Sequence, residues 1–427
     1  MNPIRVSPRS WLLLSFAAIF ITWIYMSRVL VPWEQYFNVD AGTMKAALGD
    51  LYSPWYGTRA LLQAGKNPYG PQVTHEIQAA FYGRDVVQQN EPGGRVVGGR
   101  VVDEQRFAYP VYVIFLLAPV AWLHFESLHA AAPFVLALLV LVSVRLWMAM
   151  LRWRPRASLF WAIALFVLAS PQIAQGLRLR QLGLIVGCLL ALSTWLAVRN
   201  HLVLSGAVLA FASIKPQMIV LPLAWFLLWA MGDLRQRWRL PAAFAGALVL
   251  LVGAGELILP GWLRDFFAGL AAYKHYGPVR TLLQLALGDT AGIVIAAILI
   301  AAVLVWGWIH RKDTADSEEF ALTLSAFLLG SALALPLMPP FNQVLLILPL
   351  LIILRDWSRL PLLGQVLFVA CAGWPWIMSL AMLVSHVPVK SLRPLPLLPS
   401  ALALFFPALL TLLLLARGNS ITPTRNN

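Results

Sequence analysis

Apolar stretches close to the length of a bilayer crossing recur along most of this chain. They fall at 11–31, 108–124, 127–151, 157–173, 182–199, 202–214, 216–231, 241–259, 289–309, 320–338, 341–354, 360–384 and 399–416, thirteen in all. About 20 apolar residues in a helix cross roughly 30 Å of hydrocarbon. Only 12% of residues are charged and 60% are hydrophobic, against roughly 25% charge in soluble domains. A soluble fold is excluded. The expected fold is an all-α, polytopic transmembrane helical bundle forming a single membrane domain over 1–427.

The net charge of +14 does not point to nucleic acid, because the basic residues are dispersed. They sit in short clusters between apolar runs, such as Arg152, Arg154 and Arg156, or Arg235, Arg237 and Arg239. That is the signature of loops held on the cytoplasmic side; a nucleic-acid footprint is a continuous basic face. The 18 Trp suit interfacial belts. Cys188 and Cys371 lie inside apolar runs and read as small core residues. The first run follows Arg5 and Arg9, is too long for a signal-peptide core and has no small-residue cleavage site after it, so it reads as a retained span.

The clusters at 152–156, 235–239 and 310–312, the Arg355/Arg359 pair, the tail at 418–427 and the N-terminus are all expected inside. Thirteen crossings cannot return both ends to one side. The segment 108–124, short and interrupted by Pro110 and Pro119, is expected to be re-entrant, leaving about twelve spans. The one long hydrophilic stretch, 32–107, carries seven Lys/Arg against eight Asp/Glu. A near-neutral loop beside basic ones belongs outside. Within it, GGRVV occurs at 93–97 and again at 98–102, which reads as a flexible loop. An amphipathic helix is expected over 51–64, capped by Asp50, ended by Gly65 and Pro68, and lying along the membrane surface.

This topology gathers polar residues on the outer side: Asp40 and Asp50, Gln175, Arg178, Arg180 and Gln181, Lys215, the 273–280 loop, and Asn342 with Gln343. Polar groups on one face beside hydrocarbon suit an amphiphilic ligand with an anionic head. Lys and Arg would hold the anion and an Asp would accept a proton. No His/Asp/Glu cluster has metal-ligand spacing, so no metal or other cofactor is indicated.

Residues 50–69, DLYSPWYGTRALLQAGKNPY, resemble the opening motif of glycosyltransferase family 87. The resemblance continues through FAYP at 107–110, Gln181 at the start of a span, KPQ at 215–217 and Asn342–Gln343. It implies a GT-C type fold and an inverting hexosyltransferase. Such enzymes move a sugar, often mannose, from a polyprenyl-phosphate donor to a lipid or cell-envelope glycan acceptor at the extracytoplasmic face of a bacterial-type plasma membrane. Asp50 matches the family's catalytic carboxylate. LRLRQ at 177–181 departs from the pattern, in which Gly more often precedes the Gln.

On that reading Asp50 takes the acceptor proton, and Lys215, Arg59, Arg178 and Arg180 are candidate cations for the departing phosphate. Tyr52, Tyr56 and Trp55 line the sugar or lipid path. Tyr69, Tyr109, Gln217, Gln181, Asn342 and Gln343 join as substrate contacts, and His275 as a contact to the donor phosphate. Plainer roles stand beside these. Asp50 as a helix cap contributes roughly 0.5–2 kcal/mol, Lys215 and the arginines anchor to headgroups, and the amides satisfy span ends. Asp40 is a second, weaker base candidate. The rival functions are a transporter or lipid-linked sugar flippase and a non-catalytic scaffold; membrane lipids are partners throughout.

Overall fold

The computed structural model describes residues 7–40, 46–83, 96–97, 100–101, 105–273, 280–336, 338–384 and 406–419. Helix α1 (Pro8–Tyr25) opens with Pro8 in its first turn, and the Ser7 side chain accepts a hydrogen bond from the Ser10 amide. It continues through a π-helical turn (Met26–Leu30) into α2 (Val31–Asp40). Together they give an unbroken apolar helix over Arg9–Tyr36.

Four more helices are long and apolar enough to cross a membrane: α6 (Phe125–Met150), the joined pair α12 (Leu234–Arg237) and α13 (Arg239–Ile258), α16 (Asp289–His310) and α19 (Leu362–Val384). Large apolar side chains stand exposed on them, Leu257 at 87% and Leu250 at 74%. Such surfaces are stable only against hydrocarbon.

The expected run 157–173 is instead two helices, α7 (Ala157–Ala169) and α8 (Pro171–Leu179), bent by 63°. Pro171 has no amide to donate and its ring clashes with the preceding turn, so the helix cannot run through it. Counted as one crossing, the pair raises the number of long apolar spans to six. Shorter apolar helices follow: α9 (Gly183–Val198), α10 (Leu202–Ala212), α11 (Pro216–Gly232) and the pair formed by a 3-10 stretch (Pro340–Leu346) and α18 (Ile347–Arg355). Helices α17 (Glu318–Ala334) and α20 (Phe406–Asn419) complete the apolar set.

The core lies among α6, α9, α10, α11 and α17. Ser193 and Ser205 each donate to the other's carbonyl, at 2.9 and 2.8 Å, which joins α9 to α10. Trp225 packs against Phe320 and Phe327. At the end of α1, Thr22 donates to the Ala169 carbonyl at 2.8 Å and accepts from the Trp376 indole at 3.0 Å, tying α1, α7 and α19 together. Far along α11 the Arg237 guanidinium lies 4.3 Å from the Trp229 ring centroid. It donates to the carbonyls of Trp229, Arg311 and Asp313 at 2.8, 2.9 and 3.0 Å, joining α11 to the turn after α16.

Two short helices, α3 (Tyr52–Ala64) and α4 (Pro71–Tyr82), follow α2. Gly65, in the left-handed conformation, closes α3 as expected. The start differs: Leu51 holds the cap position and makes no side-chain cap hydrogen bond. The helix is also more enclosed than one lying on a membrane surface. Trp55, Thr58, Ala60 and Leu61 are buried, while Leu62 is exposed.

What encloses α3 is the proline-broken segment Val111–Val120, two 3-10 turns around one short α-helical turn, α5 (Ile114–Leu117). Side chains of α3 serve the carbonyls at its end: the Trp55 indole donates to Val120 at 3.1 Å and Arg59 to Leu123 at 3.3 Å. Among the described residues of the GGRVV stretch, β1 (Val96–Val97) pairs antiparallel with β2 (Arg100–Val101). Helices α14 (Trp262–Tyr273) and α15 (Leu282–Leu287) are short connectors.

Candidate active site

The end of α8 brings the first two parts of the site together. Arg180 adopts the left-handed conformation, φ 54°, which turns the chain toward α9. Gly49 docks on this end with φ 71°, where a Cβ would stand 2.8 Å from the Leu179 carbonyl oxygen. Only glycine tolerates both the conformation and the approach. The next amide, of Asp50, donates to that same carbonyl at 2.7 Å. The Asp50 backbone is thereby anchored to the end of α8.

The half-buried Asp50 carboxylate accepts a hydrogen bond from the Gln181 amide nitrogen. The Gln181 oxygen in turn accepts from Lys215 Nζ at 2.6 Å. Lys215 sits in the turn between α10 and α11, its ammonium 5.3 Å from the centroid of Phe341. Gln181 is 3% exposed and Lys215 7%. Burial pushes the Lys215 ammonium down from the ordinary lysine range to about 8, with the Asp50 charge opposing the fall. Gly183, at the start of α9, leaves room for this packing: a Cβ there would lie 2.6 Å from Asn342 Oδ1 and 3.4 Å from Lys215 Nζ. Asp50, Gln181, Lys215 and Asn342, distant in sequence, therefore form one cluster.

The other expected residues divide. Arg178 makes a two-pronged pair with Glu34, at 2.8 and 3.0 Å. Arg180 donates to the His129 carbonyl at 3.2 Å; burial and the neighbouring Arg178 lower its pKa. Arg59 is held by the Leu123 carbonyl and lies 5.4 Å from the Trp55 ring centroid. These three guanidiniums already have partners within the protein. Gln343 accepts from Gln172 at 3.4 Å, and Gln217 is half-buried on the first turn of α11. Asp40 is the last residue of α2, and His275 lies outside the described residues.

The tyrosines form a second group beside α3. Tyr52 stacks on Tyr56 and meets Phe125 and Phe81 edge-on. Tyr56 donates to Glu76 at 2.9 Å, and Lys66 pairs with the same carboxylate at 2.6 Å. Burial, then Glu76, pushes the Tyr56 phenol up to about 12. Tyr69 donates to the Tyr109 carbonyl at 2.7 Å and packs on Phe107, so the two aromatic motif residues brace one another.

Sequence reasoning missed Glu34, His129, Glu76 and the Asn67–Asp265 contact at 2.8 Å. Nothing local marks a pairing across such separations. Among the described residues no group of three or more His, Cys, Asp or Glu is placed to hold a metal.

The family model of glycosyltransferase family 87 matches residues 107–336. That range contains FAYP, Gln181 and KPQ, while Asp50 and Asn342 flank it in sequence and join it in space. No curated protein and no solved structure matches the chain.

Proposed function

Because this chain belongs to glycosyltransferase family 87, we propose that it is an inverting hexosyltransferase with Asp50 as its base. A mannose-like sugar passes from a polyprenyl-phosphate donor to a lipid or cell-envelope glycan acceptor at the extracytoplasmic face. The observation that carries this reading is the Asp50–Gln181–Lys215 chain: a reachable carboxylate anchored through a buried amide to a buried cation. An acceptor hydroxyl attacks the anomeric carbon as the bond to the donor phosphate oxygen breaks. Asp50 takes the hydroxyl proton. The departing phosphate gains charge, which the Lys215 ammonium, with donors beyond the one given to Gln181, opposes.

The amide matters because it cannot deliver a net proton. It holds the carboxylate in one orientation and keeps Lys215 from pairing with it directly. Arg178 and Arg180 position α8 through Glu34 and His129 instead of binding the phosphate, and the Tyr52–Tyr56 pair lines the approach to Asp50.

The shorter apolar helices, with α17 and α20, are read as crossings too, and Val111–Val120 as the re-entrant element. The count is then the expected twelve, with the GT-C type arrangement and the Asp50 side outside. Replacing Asp50 by Asn is expected to lower sugar transfer by about 10³-fold or more, measured with purified protein and a polyprenyl-phosphate sugar. Full transfer by D50N removes Asp50 from the role of base.

A further inference from the structure

The 3-10 stretch Pro340–Leu346 lies against α9 because two glycines one turn apart leave it room. A Cβ on Gly183 would stand 2.6 Å from Asn342 Oδ1, and one on Gly187 would stand 2.8 Å from Val344 Cγ1. Val344 is buried and β-branched, so it cannot swing away from an added methyl group. Pro339 and Pro340 restrict the backbone entering the stretch. Gln343 accepts from Gln172 of α8 at 3.4 Å and fastens it to a second helix. Phe341, near the start of this clamped segment, is thereby set with its ring centroid 5.3 Å from Lys215 Nζ.

That placement answers a problem in the charged cluster. Lys215 is 7% exposed, and burial disfavours its ammonium. The Gln181 oxygen at 2.6 Å replaces part of the lost water. A carboxylate set directly against the ammonium would stabilise it more strongly, yet the neutral pair would attract an anion weakly. A ring face acts differently: its quadrupole attracts a cation within about 6 Å of the centroid and adds no net charge. An ammonium held this way keeps its full positive field.

We propose that Phe341 is a positioning residue, its ring face holding the Lys215 ammonium in place without neutralising it. Its bearing on sugar transfer rests on Lys215 opposing the phosphate charge, whereas its bearing on Lys215 stands apart from that reading. The plain alternative is packing, in which any group of the same size serves beside α9.

Electronics separate the two roles where size cannot. Fluorination weakens the negative face of the ring and barely alters its volume. In the full-length protein, Phe341 is replaced in turn by monofluoro-, difluoro- and trifluorophenylalanine. Lys215 is trace-acetylated with acetic anhydride across the neutral and alkaline range, and its modification is read by peptide mass. The midpoint for the unaltered protein is expected at about 8. It is expected to fall with each fluorine, by about one pH unit in the trifluoro protein, a tenfold shift in the protonation equilibrium. F341W, with the stronger cation-binding ring, is expected to hold the midpoint or raise it. A midpoint unchanged across the fluorinated series overturns the proposal and leaves Phe341 to packing.

The alkaline limb of sugar transfer should move with the midpoint. A limb that stays while the midpoint moves overturns the bearing of Phe341 on the reaction. D50N tells this inference from the proposed function. That variant lacks the Asp50 charge that opposes the fall in the Lys215 pKa, so its midpoint starts lower. The stepwise fall with fluorination should persist there while transfer is lost. Retained transfer by D50N removes the base assignment alone, and flat midpoints remove Phe341 alone.

Discussion

Gln181 stands between the Asp50 carboxylate and the Lys215 ammonium. Its two ends are chemically distinct, and only one orientation of the amide satisfies both neighbours, which fixes where the Asp50 oxygens point. Q181L is expected to lower transfer by about tenfold to a hundredfold with modest change in KM for the donor, since it disturbs placement rather than contact. A rise in KM with unchanged kcat would assign Gln181 to substrate binding instead. The Lys215 charge sets a pH limit. Its pKa is depressed to about 8, so the ammonium is present below that value and neutral above it. Transfer is expected to fall as pH rises through about 8, and K215M should be nearly inactive with no such alkaline limb. Sequence alone singles out Asp50, Gln181 and Lys215 but assigns the latter two to substrate. The structure first engages them with each other. The cap position expected of Asp50 falls to Leu51, and the Asp50 carboxylate instead meets Gln181, 131 positions away, a pairing that no local pattern announces.

Helix α8 is the element on which the site turns, and it is held by side chains more than by its own length. It has nine residues, too few to be stable alone. The Arg178–Glu34 pair clamps it to α2. R178E is expected to cost about 1 kcal/mol of stability and to lower transfer, and the double variant R178E/E34R to regain part of both. A melting series of the four proteins checks this as a double-mutant cycle. That pairing could not be read from sequence, because nothing in the local pattern connects positions 144 residues apart. The break before α8 was legible in principle from Pro171, yet the apolar content of 157–173 conceals it. By contrast, the ends of α3 and α6 follow closely from Gly65 and the Arg152–Arg156 cluster. Hydrophobic runs report what each helix needs as solvent. They do not report where a helix bends inside that solvent.

For the whole molecule, the apolar exposure of α13, α16 and α19 agrees with the sequence composition in requiring a lipid environment. The sidedness assigned from the basic clusters can be measured in intact cells. In a C188S/C371S background, A64C is expected to react with a membrane-impermeant maleimide and R154C only after the cells are opened; the reverse pattern would place Asp50 inside. The same sidedness gives the Arg237 contacts a further meaning. Helix α11 begins beside Lys215 and has 17 residues, so this guanidinium lies about 25 Å from the site. There it fastens α11 to the turn after α16 through four carbonyls and a ring face. A carrier that admits cargo from both sides must part its helices at each end in turn. Here one end is held by charge-assisted bonds from a single guanidinium. A transport cycle would have to break these contacts on every turn, whereas sugar transfer at the far end of α11 leaves them in place.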